Sequence, residues 1–130
     1  MTNFKKIVFI NADYDENTQL ATATIQYGKE QFTGYAKPYG TDADTPNRFR
    51  GCRIAELKAT KKAIKNTLTK MSEEYSTIHQ FMLNCLQTKA FDVNSPTAKV
   101  MFRQENVLLN RISKGEYLLS EIQEQIDEYK

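Results

Sequence analysis

TPNRFRGCRIAELKATKKAIKNTLTKMSEEYSTIHQFMLNCLQ, residues 45–87, decides the architecture. Thr45-Pro46 pairs a capping hydroxyl with a proline suited to the first helical position. After Pro46 the stretch contains no proline, and its single glycine is Gly51. Steps of alternately three and four residues from Ile54 land on Leu57, Lys61, Ile64, Leu68, Met71, Tyr75, Ile78, Met82 and Cys85. Only Lys61 interrupts this apolar seam, so the spacing predicts one long amphipathic helix.

A break at 88–95 precedes Pro96, and the same steps resume over residues 96–130. They land on Ala98, Met101, Glu105, Leu108, Ile112, Gly115, Leu119, Ile122, Ile126 and Tyr129. Two such seams joined by a short loop fold back antiparallel. The expected register sets Ile54 near Tyr129, Leu68 near Gly115 and Cys85 near Ala98. Basic residues Arg48, Arg50, Arg53, Lys58, Lys61, Lys62, Lys65 and Lys70 crowd the first helix. Glu116, Glu121, Glu124, Asp127 and Glu128 crowd the end of the second. An antiparallel hairpin lays these opposite charges side by side.

The preceding residues, 1–44, read as a sheet and a loop. Residues 5–11, 19–27 and 30–37 alternate or cluster β-branched and aromatic side chains, with turns expected at 13–17 and at Gly28-Lys29. The expectation is an α+β fold in one domain: a small N-terminal three-stranded antiparallel sheet followed by a long antiparallel two-helix hairpin. The sheet must lean on the helices to bury a face. A helix of about 40 residues spans roughly 60 Å, so the hairpin is expected to extend past its sheet.

Composition narrows the functional classes. With 40% hydrophobic and 26% charged residues, the chain fits a folded domain with a polar surface. No apolar run reaches the roughly 18 residues of a membrane span. The opening Met-Thr-Asn-Phe-Lys-Lys-Ile-Val-Phe-Ile has too short an apolar stretch for a signal peptide, and a cytoplasmic location is expected. Cys52 and Cys85, on the order of 50 Å apart on one helix, cannot bond to each other, which fits a reducing compartment. Lys and Arg number 18 against 16 Asp and Glu, so net charge gives no reason to expect nucleic acid. One histidine and two cysteines are too few for an ordinary zinc site, and no metal or cofactor is expected. The acidic cluster 13–17 lacks the glycine and distal glutamate of a calcium loop. Asp42 and Asp44, just before the helix, suit its positive end rather than catalysis.

Catalysis finds no foothold. His79 is the sole histidine, next to a seam position, and reads as a flank or interface group rather than a general base. Binding is better supplied at the loop end of the hairpin. Phe81, Phe91 and Phe102 offer stacking faces, and Asn84, Asp92, Asn94 and Asn106 offer hydrogen-bonding edges. Arg103 and Arg111 offer guanidinium forks for phosphate. This inventory suits a nucleotide-sized anion held between chains, although the same phenylalanines also suit a core. Further apolar residues there, among them Leu83, Val93, Val100 and Leu109, call for a partner, so a homodimer or higher homo-oligomer is expected. Arg48, Arg50 and Arg53 form a second candidate anion site near the helix start.

Gly34-Tyr-Ala36-Lys-Pro38, then Asp42 or Asp44, Phe49-Arg-Gly51, Ala55 and Ala59, resemble a pattern in short phage-encoded proteins. There a strand ending Gly-x-Ala leads through an acidic loop into a helix with a small-residue face. Gly51, Ala55 and Ala59 would let the helix lie close on the sheet. The layout resembles the first-described Thoeris anti-defence family, whose members sequester cyclic ADP-ribose isomers made by bacterial TIR-domain enzymes. Members also take up cyclic oligonucleotide signals at a separate site. The resemblance implies a non-enzymatic protein of the infected bacterial cytoplasm with its ligand between protomers. An aromatic ring, an asparagine or aspartate and helix arginines would hold it. The corresponding candidates are Phe81 or Phe91, then Asn84, Asp92 or Asn94, with Arg103 and Arg111; Lys58 stands where the family commonly has arginine. The rival expectation is an inhibitor of the anti-CRISPR kind, binding protein or nucleic acid through the basic face 48–65.

Overall fold

Three antiparallel strands, β1 (Ile7–Asp15), β2 (Leu20–Tyr27) and β3 (Glu30–Ala36), form a meander in the order β1-β2-β3. Two helices follow, α1 (Arg48–Gln87) and α2 (Pro96–Glu128). The computed structural model describes residues 1–37, 48–89 and 92–129. The expected start at Thr45-Pro46, with Asp42 and Asp44, lies outside the described residues. The α+β architecture matches the sequence reading, as does the interruption between Gln87 and Pro96.

The chain divides into two compact units. One comprises Phe4–Lys65 with Leu118–Lys130 and carries the sheet; the other comprises Met1–Asn3 with Asn66–Tyr117 and is helical.

In the sheet-bearing unit, β2 alternates cleanly. Ala21, Ala23, Ile25 and Tyr27 are buried and the residues between them are half-exposed. Gly28 (φ 62°) supplies the left-handed first position of the tight turn between Tyr27 and Glu30. The loop into β2 is held by Asp15, whose Oδ1 accepts the amides of Asn17 and Thr18 at 2.9 and 3.3 Å.

The expected turn at 13–17 is corrected: Asp13, Tyr14 and Asp15 belong to β1. The reason is a bulge. Phe9 pairs with Ile25 and Asn11 with Thr24, leaving Ile10 as the extra residue. Before it, Ile7 and Phe9 share the buried face of β2; after it, Ala12 and Tyr14 do. The phase change lets Tyr14 and Ala12 pack against Ala21, Ala23, Ala36 and Ala55, while Asp13 and Asp15 take the solvent side. Pairing thus continues through a segment whose acidity reads as a turn.

The expected close approach of helix and sheet is present. A Cβ on Gly34 of β3 would strike the carbonyl oxygen of Ala55 and lie 2.5 Å from the amide nitrogen of Ala59. A Cβ on Gly51 would lie 3.2 Å from the Ala21 side chain. Ala55 and Ala59 are wholly buried. Small residues on both elements therefore let the α1 backbone rest on β3.

The seams hold in both units. All the seam residues are buried or half-buried, although each helix also presents many exposed positions. Leu57, Ile64, Ile122 and Ile126 are buried in the sheet-bearing unit, and Met71, Met82, Ala98 and Leu108 in the helical one. The two polar seam residues are each met by a flanking residue of the facing helix. Lys61 Nζ donates to Gln123 Oε1, and Glu105 Oε1 lies 2.8 Å from His79 Nδ1. Both pairs fit the expected antiparallel register to within one residue. A polar residue in an apolar seam penalises every register that leaves it unpartnered, so these pairs fix the alignment.

Candidate functional site

The helical unit contains the side chains expected to bind a ligand, apart from Phe91, which lies outside the described residues. Its loop end is built by local capping. Lys89 (φ 58°) takes the left-handed conformation just past α1, and the Asn84 carbonyl accepts both the amide (3.0 Å) and the hydroxyl (2.8 Å) of Thr88. Asp92 Oδ1 accepts the Asn94 amide at 3.0 Å, and its carbonyl accepts the Ser95 amide at 3.0 Å. Ser95 Oγ then accepts the Ala98 amide at 3.2 Å, ahead of Pro96 at the first helical position.

Asn84, Asp92 and Asn94 therefore all have structural duties at the loop end, and all three are exposed. The Asn84 side chain accepts from Gln80 Nε2 at 3.2 Å, leaving its amide nitrogen free to donate elsewhere. Phe81 is 55% exposed, which favours an available ring over a core position at this residue. Phe102 is half-buried, as a core residue would be. Arg103 is exposed on α2. Leu83, Val93, Val100 and Leu109 add exposed apolar surface to the same unit.

Arg111 has a different placement. Its Nη1 donates to the Thr2 carbonyl at 2.9 Å, while the Thr2 amide donates to Glu74 Oε1 at 2.7 Å. The chain's first residues are thereby strapped across α1 and α2. Thr2 also lines a shallow groove with Lys70, Glu73, Glu74, Thr77 and Ile78. Sequence reading missed this strap because the Thr2 contacts are made by main-chain atoms, which leave no side-chain signature.

His79 lies exposed beside the seam. It faces Glu105 and stacks on Tyr75, with rings 5.5 Å apart and 15° from parallel.

The second candidate anion site lies in the sheet-bearing unit. Arg48 is exposed at the first residue of α1. Arg50 and Arg53 line an open groove with Phe49, Glu128 and Tyr129. Phe49 is 87% exposed. Arg53 is joined to Glu56 of its own helix at 3.1 Å. Elsewhere on the basic run, Lys61 meets an amide, and Lys62 donates to the Thr33 carbonyl (2.7 Å) with its ammonium 5.3 Å from the Tyr35 ring centre. Lys61 and Lys62 are therefore met by neutral partners.

Among the described residues, no group of three or more His, Cys, Asp or Glu side chains is placed to hold a metal ion, and no helix is long and apolar enough to cross a membrane. Cys52 and Cys85 are free thiols. Neither a protein-family model, a curated protein nor a solved structure matches this chain.

Proposed function

We propose that this chain is a non-enzymatic binding protein that sequesters a cyclic nucleotide signal between copies of itself, in the cytoplasm of a phage-infected bacterium. The ligand class is a cyclic ADP-ribose isomer, with cyclic oligonucleotides as further ligands. The observation that carries the reading is that the helical unit offers both a half-exposed aromatic ring, Phe81, and an exposed guanidinium, Arg103. Rings stack on bases and guanidinium forks clamp phosphates. The exposed amide of Asn84 and the loop residues Asp92 and Asn94 supply edges for hydrogen bonding. Arg111 spends one donor on Thr2 and has others in its fork for an anion.

Native mass spectrometry after incubation with cyclic ADP-ribose isomers and cyclic dinucleotides tests this directly. The expected result is an oligomer carrying bound nucleotide, released chemically unchanged on heating. A cleaved product would make the protein an enzyme instead. Arg103→Ala should weaken binding by about tenfold or more while the oligomer persists. Unaltered affinity would remove this site from consideration.

A second reading is favoured by Phe49, which stands almost fully exposed beside Arg48, Arg50 and Arg53. It is an inhibitor of the anti-CRISPR kind, docking on protein or nucleic acid through the basic face of α1. Binding of that kind to nucleic acid would fall steeply with salt and with Arg50→Ala.

A further inference from the structure

β1 lies at one end of the sheet, so alternate N–H and C=O groups along it face away from β2. Its first half is apolar on both faces and exposed on both: Ile7 38%, Val8 47%, Phe9 51% and Ile10 41%. Ile7 and Phe9 stand opposite the buried Tyr27 and Ile25 yet stay uncovered themselves. Between Ile7 and Ala12 there is no charge to discourage edge pairing. Lys6 precedes this run and Asp13 follows it, both exposed.

We propose that β1 pairs antiparallel with β1 of a second copy, joining two three-stranded sheets into one of six strands. The charges are self-complementary about a two-fold axis between Phe9 and Ile10. That register sets Val8 against the partner's Asn11, Ile7 against the partner's Ala12, and Lys6 against the partner's Asp13. The bulge makes it consistent. Ile7 and Ala12 both lie on the face of β2 that is buried, while Val8 and Asn11 both lie on the other. In an unbulged strand the same axis would oppose residues from different faces. The occupant of this edge is thus a second copy, because the edge carries its own counter-charges in reverse order. This inference stands apart from the ligand reading and uses no residue of the helical unit.

Sedimentation velocity over a range of concentrations, with hydrogen exchange on the β1 amides, tests it on the full chain. The expected result is a dimer or a multiple of it, with β1 amides protected more strongly as concentration rises. Lys6→Asp and Asp13→Lys should each raise the dissociation constant about tenfold, by opposing like charges at two symmetric places. The double variant Lys6→Asp/Asp13→Lys restores opposite charges and should restore assembly. Concentration-independent exchange at β1, single variants that assemble like the parent, or a double variant that stays apart would each overturn the proposal. Because neither side chain is buried, folding of the variants is checked by unchanged protection in β2.

Discussion

The two outer strands of the sheet meet their surroundings in opposite ways. β3 is committed inward: Gly34 receives the α1 backbone, Lys62 holds the Thr33 carbonyl, and its ammonium sits over the Tyr35 ring. β1 has only its second half engaged, where Ala12 and Tyr14 reach the alanine cluster, while Ile7 to Ile10 remain open. An edge strand is a liability unless covered, charged or paired. On β3 the helix rests on one face and a lysine of the same chain caps one main-chain carbonyl. The other edge, β1, carries the features of a strand that finishes its pairing elsewhere.

The largest expected effect comes from breaking the committed edge. In Gly34→Ala the new methyl group would collide with backbone atoms of Ala55 and Ala59, which cannot swing aside as a side chain would. Helix and strand must separate, and the loss should be about 3 kcal/mol or more, at the upper end of overpacking costs. Urea unfolding followed by circular dichroism measures it. A loss under about 1 kcal/mol would mean that α1 does not rest on β3 as described.

Lys62→Ala should cost less, about 1 kcal/mol, since it removes a hydrogen bond and a cation–ring contact from an exposed side chain. Lys62→Arg keeps a charge but changes the reach to the Thr33 carbonyl, so partial recovery separates the charge from the geometry. Both effects should appear as shifts in the urea midpoint at constant slope.

These contrasts also show what the sequence makes legible. The hairpin is readable because a seam repeated over two long helices leaves few other ways to bury apolar surface, and its polar exceptions, Lys61 and Glu105, even mark the register. The small-residue contact is readable from Gly51, Ala55 and Ala59. The extent of β1 is not, because the acidity of Asp13–Asp15 reads as a turn and one extra residue at Ile10 inverts the face pattern. Nor is the role of Arg111 as an anchor for Thr2, since its acceptor is a main-chain carbonyl. At the candidate site the residue types are legible, but only exposure separates them: Phe81 and Arg103 are exposed, whereas Asn84, Asp92 and Asn94 also shape the loop.

The smallest expected effect falls on the open edge. Val8→Lys places a charge on a residue that is already nearly half exposed and lies on the face away from the core. In dilute solution, where single chains prevail, it should change unfolding free energy by no more than about 0.5 kcal/mol, as for an ordinary surface site. At higher concentration the parent should gain stability through association while Val8→Lys does not, because partner binding adds to apparent stability by mass action. The two unfolding curves should therefore coincide when dilute and diverge when concentrated. A large loss in the dilute limit would place Val8 in the chain's own core and end the contrast between the two edges.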